Sequence, residues 1–234
     1  MSPAFDAHCH PADVPASGAA RLLCCGSRPG DWPEVLALAG ADRRVTPCFG
    51  LHPWFAGEAP PGWETELERL LLAVPSCAGE IGLDESRPSP RQEEAFRLQL
   101  ALAARLKRPA VVHCVGGWGR LTGLLRGAGL PAFVVHAYGG SPETAAELAA
   151  AGGYFSFGWA VAEQGRKRVR AALAAVPRDR LLFESEGAGR GGLGCVVAAA
   201  ASLLGEKAET LAALAAANGA KFLSAAPCFQ GPAD

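Results

Sequence analysis

Eight short runs rich in Val, Leu, Ile and Phe punctuate the sequence, at residues 4–10, 21–26, 44–52, 77–84, 110–114, 132–137, 154–158 and 181–186. Between most of them lie stretches with helical periodicity or strong helix formers, at 31–41, 63–73, 90–106, 142–151 and 167–176. Strands that read as continuous apolar runs are buried on both faces, which implies a parallel sheet covered by helices. Eight such units predict an α/β fold, a single (β/α)8 TIM-type barrel. Ser141-Pro-Glu143 is a clean helix start, with serine at the cap, proline at the first position and acid in the first turn. The alanine-rich stretch from 194 to 223 reads as helix broken near Gly205. One domain is expected over residues 1–224, with a loose tail at 225–234.

The net charge of −1 over 234 residues argues against a broadly basic nucleic-acid surface. An anionic substrate would need local charge from metal ions and a few arginines. The mean hydropathy of +0.14 suits a water-soluble chain, and the most apolar stretch, 196–204, is too short for a membrane span. No secretory signal is expected from the opening residues, because Asp6, His8 and His10 interrupt them. The eight cysteines include no C-x-x-C pair, and most sit inside apolar runs as small hydrophobes. A reduced, cytoplasmic setting is expected. Cys9 and Cys114 neighbour histidines but should face the helices.

All five histidines fall at or near the end of an apolar run. His8 and His10 close the first, His52 the third, His113 the fifth and His136 the sixth. In a β/α barrel these strand ends form the active-site face. Glu80 and Asp84 on strand 4 and Glu184 and Glu186 on strand 8 add carboxylates there. Alternation along strand 1 would put Asp6, His8 and His10 on one face. Imidazoles with carboxylates predict a site for two divalent metal ions: Mg²⁺, Mn²⁺ or Zn²⁺. Paired ions roughly 3.5–4 Å apart activate a bridging water and stabilise a displaced oxygen. No lysine falls in a strand, so Glu80 is the natural bridging ligand.

Phe5-Asp-Ala-His-Cys-His-Pro11, Gly50-Leu-His-Pro-Trp54, Gly79-Glu-Ile-Gly-Leu-Asp84, Val111-Val-His-Cys114, Val134-Val-His-Ala-Tyr-Gly-Gly-Ser141, Leu182-Phe-Glu-Ser-Glu186 and Asn218-Gly-Ala-Lys-Phe222 together resemble the motifs of the TatD family of metal-dependent deoxyribonucleases, in order, over nearly the whole chain. The resemblance implies an amidohydrolase-superfamily barrel that trims DNA, single strands preferred, from the 3′ end. It implies that His8, His10 and Glu80 bind one metal, that Glu80, His113 and His136 bind the second, and that His52 contacts the substrate phosphate. Asp6 is then a hydrogen-bonding partner that orients a histidine, Glu184 a structural hydrogen-bonding group, and Asp84 a structural or substrate-facing residue at the mouth.

Three positions depart from the family pattern. Glu186 stands where the family has a metal-binding aspartate, and is expected to bind metal and orient the attacking water. Val115 replaces an arginine expected near the phosphate. The loop Gly187-Ala-Gly-Arg-Gly-Gly192 is short and glycine-rich.

Arg28, Arg87, Arg120, Arg166 and Arg190, with Trp54, Phe55, Trp118, Tyr138 and Trp159, fall in expected loops after strands. They suggest a groove for single-stranded nucleic acid. Arg120 is the expected replacement for the missing arginine, and Trp54 and Tyr138 are expected substrate contacts. A monomer is expected. Two alternatives stay open: hydrolysis of another ester or amide, such as misacylated tRNA, and a weakened barrel serving as a subunit of a larger complex.

Overall fold

Eight parallel strands lie in chain order in one sheet. The structure, a computed structural model, describes residues 4–186 and 192–230. Arg190, most of the glycine-rich loop at 187–192, and the last four residues of the tail lie outside them. The strands are β1 (Phe5–Cys9), β2 (Arg21–Cys25), β3 (Val45–Phe49), β4 (Cys77–Asp84), β5 (Ala110–Val115), β6 (Phe133–Val135), β7 (Gly153–Phe157) and β8 (Leu181–Phe183). The helices are α1 (Trp32–Ala41), α2 (Trp63–Ala73), α3 (Gln92–Arg105), α4 (Trp118–Arg126), α5 (Pro142–Ala150), α6 (Lys167–Ala175), α7 (Gly192–Leu204) and α8 (Ala208–Ser224). A 3-10 turn, Pro11–Ala16, replaces the helix between β1 and β2.

Backbone ladders run from β1 through β8. The remaining seam brings β8 against β1. There Asp6 accepts the Ser185 N–H at 2.9 Å and the Ser185 hydroxyl. The fold is a nearly closed TIM barrel.

Side chains sort into two layers, as strand alternation requires. Leu22, Cys24, Phe49, Ile81, Val112 and Val135 face outward onto the helices, where Trp32, Leu67, Phe96 and Leu121 cover them. Leu23, Cys25, Cys48, Cys77, Val111, Val134 and Leu182 fill the barrel interior, joined by Phe222 and Leu223 of α8. Cys9 and Cys114 lie in the outer layer, as expected. Gly219 lets α8 press on β1, because a Cβ there would sit 2.4 Å from the Phe5 ring.

Two strands break the alternation at the places where ligands are needed. In β1 the register slips by one residue between Asp6 and Cys9, and in β4 it slips between Ala78 and Ile81. Each extra residue is a bulge that sends two successive side chains inward. His8 thereby follows Ala7 to the inside, and Glu80 follows Gly79. Gly82 makes the second bulge possible: at φ 155° its missing Cβ would lie 2.0 Å from the His113 carbonyl oxygen.

The helix α4 was not expected, and it carries Trp118 and Arg120, which therefore lie on a helix and not in a loop. Four glycines between 116 and 123 obscure its propensity. The described part of the tail is also not loose. Pro227–Phe229 forms a 3-10 turn, and Phe229 packs against the inner cluster.

Candidate metal centre and active site

Glu80 is 2 % exposed, and every histidine of the chain has a ring nitrogen within 4 Å of its carboxylate. One oxygen faces His113 Nδ1 and His136 Nε2, both at 2.8 Å, and His52 Nε2 at 3.2 Å. The other faces His8 Nε2 at 3.5 Å and His10 Nε2 at 3.7 Å. Burial pushes the carboxyl up, but the His136 imidazole beside it outweighs this and holds Glu80 well below its ordinary range.

The partner behind each ring decides what its other nitrogen can offer. His10 Nδ1 lies 3.0 Å from the Cys25 carbonyl oxygen. A carbonyl only accepts, so Nδ1 carries the proton and Nε2 presents a lone pair to the centre. His113 follows the same logic in reverse. Its Nε2 lies 3.0 Å from Asp84 Oδ2, which leaves Nδ1 bare toward Glu80 and His136. His52 shares the Nε2–H tautomer of His113 but turns the protonated nitrogen to the centre: its Nδ1 accepts the Trp54 backbone N–H at 3.2 Å, and Nε2 faces Glu80. That ring is built as a donor toward an oxygen, and as a metal ligand it would have no lone pair to give.

His8 is fully buried, and neither of its ring nitrogens has a hydrogen-bond partner; the same holds for His136 Nδ1. Orphaned buried imidazole nitrogens beside carboxylates are costly unless something binds them. Burial, then the proximity of His136, keeps His8 neutral, the form that ligates. Four overlapping groups have ligand atoms close enough to share an ion: His8–Glu80–His136, His8–His10–Glu186, His52–Glu80–His113 and His136–Glu184–Glu186. The residues present therefore fit divalent metal.

Glu186 sits at the rim, half-exposed, with its oxygens 3.8 Å from His10 Nε2 and from His136 Nδ1. Burial, and the nearby Glu184 and Glu80 carboxylates, raise its proton affinity, while His136 and His10 oppose them. Glu184 is buried, accepts the Ala137 N–H at 3.0 Å and the Ser156 hydroxyl, and stands 3.7 Å from His136 Nδ1. Beside both glutamates is a cavity of about 270 Å³ lined by Ala137, Tyr138, Phe157, Gly158, Trp159 and Val169.

Several expected roles move. Asp6 does not share the face of His8 and His10; the bulge turns it outward. Its partners are Ser185, the Ser17 hydroxyl at 3.2 Å and the His8 backbone N–H at 3.4 Å, with no imidazole among them. Burial lifts its pKa to about 6 against the pull of the Ser185 hydrogen bonds. Asp84 is the carboxylate that does orient a histidine. It is 1 % exposed and also binds the Trp54 indole at 2.6 Å and the Ser86 N–H at 2.8 Å. Burial raises its pKa, but bonds from Ser86, His113 and Trp54 bring it down to about 2.

Tyr138 is fully buried, packs on Phe155 and Trp118, and commits its hydroxyl to the Ser141 carbonyl at 2.8 Å, so its ring backs the wall of the cavity beside Glu186 and its hydroxyl is not free for substrate. Arg120 pairs with Glu93 of α3. Val115 ends β5 beside Asp84 and is 42 % exposed, an apolar side chain where a cation was expected. Arg166 pairs with Glu163. Arg28 and Arg87 lie over Phe55 and Trp54 at the rim.

Residues 5–188 match the family described as TatD related DNase. A 3′–5′ ssDNA/RNA exonuclease TatD of Cronobacter sakazakii is 34 % identical over 185 residues, covering 73 % of this chain and 68 % of that protein. The protein of the same name from Pectobacterium atrosepticum is 36 % identical over 184 residues, with the same coverage of 73 % and 68 %. In structure, YJJV, a TatD homologue from Escherichia coli K12, superposes with a TM-score of 0.84 at 24 % identity, covering 93 % of this chain and 96 % of that one. The barrel agrees with these matches, and the chain belongs to the TatD-related DNase family.

Proposed function

We propose that this chain is a divalent-metal-dependent exonuclease that removes nucleotides from the 3′ end of single-stranded DNA, and of RNA as the names of its relatives suggest. The observation that carries this reading is the single buried carboxylate of Glu80 reached by five imidazoles. His8, His10 and Glu80 would hold one ion, and Glu80, His113 and His136 a second. When bound, such a pair lowers the pKa of water and offsets charge on the leaving oxygen.

This chain's residues supply the rest. His10 and His113 present bare nitrogens because Cys25 and Asp84 hold their other protons. His52 offers an N–H from Nε2 to a phosphate oxygen, as its tautomer dictates. Glu186, with its raised proton affinity, would bind the ion next to His10 and accept the proton of the attacking water. The cavity beside Glu186 offers room for the terminal nucleotide. No helix among the described residues is long and apolar enough to cross a membrane, and a monomer in the cytoplasm suits this work.

A 5′-labelled single strand, incubated with Mg²⁺, Mn²⁺ or Zn²⁺, tests the reading beside a His8→Ala/His10→Ala control. A metal-dependent ladder shortened from the 3′ end and lost in the control is expected. Folded protein that cuts neither DNA nor RNA with any metal overturns it. The exposed Val115 favours one second reading, a less anionic ester or amide substrate, which a panel of such substrates would reveal.

A further inference from the structure

Two arginine–aromatic pairs stand side by side at one edge of the centre. The Arg87 guanidinium lies 3.9 Å from the Trp54 ring centroid, and that of Arg28 lies 4.9 Å from the Phe55 centroid. Both aromatics belong to the 3-10 turn Pro53–Phe55, which His52 caps. The turn opens onto the chemistry: the His52 ring is 4.9 Å from Trp54 and 4.4 Å from His113, centroid to centroid.

Trp54 is 41 % exposed, yet it is not free to swing. Its indole N–H donates to the buried Asp84 carboxylate at 2.6 Å. A core tryptophan hides its ring; this one is anchored at the nitrogen and leaves much of its surface to solvent. A flat, apolar, pre-ordered surface is what a nucleobase stacks on, and every base has a face to offer it. Arg28 is already paired with Asp31 at 3.4 Å, but among the described residues Arg87 pairs with no carboxylate, so its charge remains available to a phosphate.

The two sides of the centre differ in shape. Near Glu186 the space is a cavity of about 270 Å³, suited to the end of a strand. Near Trp54 the surface is open, suited to the strand that continues. We propose that Trp54, with Phe55 beside it, is the stacking subsite for the bases on the 5′ side of the cleaved bond, and that Arg87 pairs the phosphate between them. This rests on the exonuclease reading above and adds to it the direction in which the strand crosses the site.

The test compares binding of oligothymidylate with binding of an abasic oligonucleotide of equal length and charge, by fluorescence anisotropy in a chelator so that nothing is cut. The wild-type chain is expected to prefer the base-bearing strand about tenfold, within the usual range for one stacked base. Trp54→Ala should erase that preference, and Trp54→Phe should keep most of it. Both variants lose the bond to Asp84, so their difference isolates the ring. If Trp54→Ala still prefers the base-bearing strand, or if the wild type shows no preference while degrading labelled DNA, the subsite is wrong and the exonuclease reading stands. If the wild type neither degrades nor binds either strand, both fall.

Discussion

Asp84 Oδ2 lies 3.0 Å from His113 Nε2, while the other nitrogen of that ring lies 2.8 Å from Glu80. One buried carboxylate thus fixes the tautomer of a candidate ligand. Asp84→Asn, which can turn its amide nitrogen toward the ring, should remove this bias. The expected cost is about 10–100-fold in metal affinity. A Zn²⁺ competition titration reads it directly, and unchanged affinity would assign Asp84 to the Trp54 anchor alone.

Glu186 reaches one methylene further than the family's aspartate. Glu186→Asp should keep or raise turnover, whereas Glu186→Gln, which cannot take a proton, should lower kcat by about 10²–10⁴-fold. Steady-state rates on a single-stranded oligonucleotide decide this. Equal rates for all three proteins would refute the proton-accepting role.

The orphaned nitrogens of His8 and His136 predict that metal and stability are linked. A ligand that binds only the folded chain stabilises it by about 2.7 kcal/mol at a hundred times its Kd. Thermal melts should therefore rise with added Mn²⁺ or Zn²⁺ and return with chelator. His8→Ala/His10→Ala should flatten this response. A wild-type melt indifferent to metal would count against the centre.

Tyr138 is argued to be structural. Tyr138→Phe removes only its bond to the Ser141 carbonyl and should cost about 0.5–1.5 kcal/mol of stability. Its KM for oligonucleotide should match the wild type. A large rise in KM with an unchanged melting temperature would restore Tyr138 to the substrate.

The apolar runs and the histidines at their ends were enough to read the barrel and the strands that supply the centre. The run at 77–84 coincides with β4 because every residue of that strand is buried. Departures came where local pattern and local geometry part. A period of two cannot reveal a bulge, so Asp6 was assigned to the wrong face of β1. The glycines at 116, 117, 119 and 123 hide α4 from a propensity reading, and with it the place of Arg120. Tyr138 carries the composition of a binding residue, but its burial is decided by Trp118, Phe155 and Phe157, far away in sequence. The pairing of Asp84 with His113 spans two strands and has no signal in either; only the acid at the end of a buried strand hinted at it.

The seam held by Asp6 and Ser185 has a consequence for the newborn protein. Residues from the first strand and the last meet there, with His10 and Glu186 on its two sides. A ribosome making this chain exposes the first histidines long before the final acid emerges. The group that includes Glu186 cannot assemble until synthesis has passed the eighth strand. Nuclease activity that depends on Glu186 would then appear only in chains extended past the eighth strand, and a product truncated before it would be left without it.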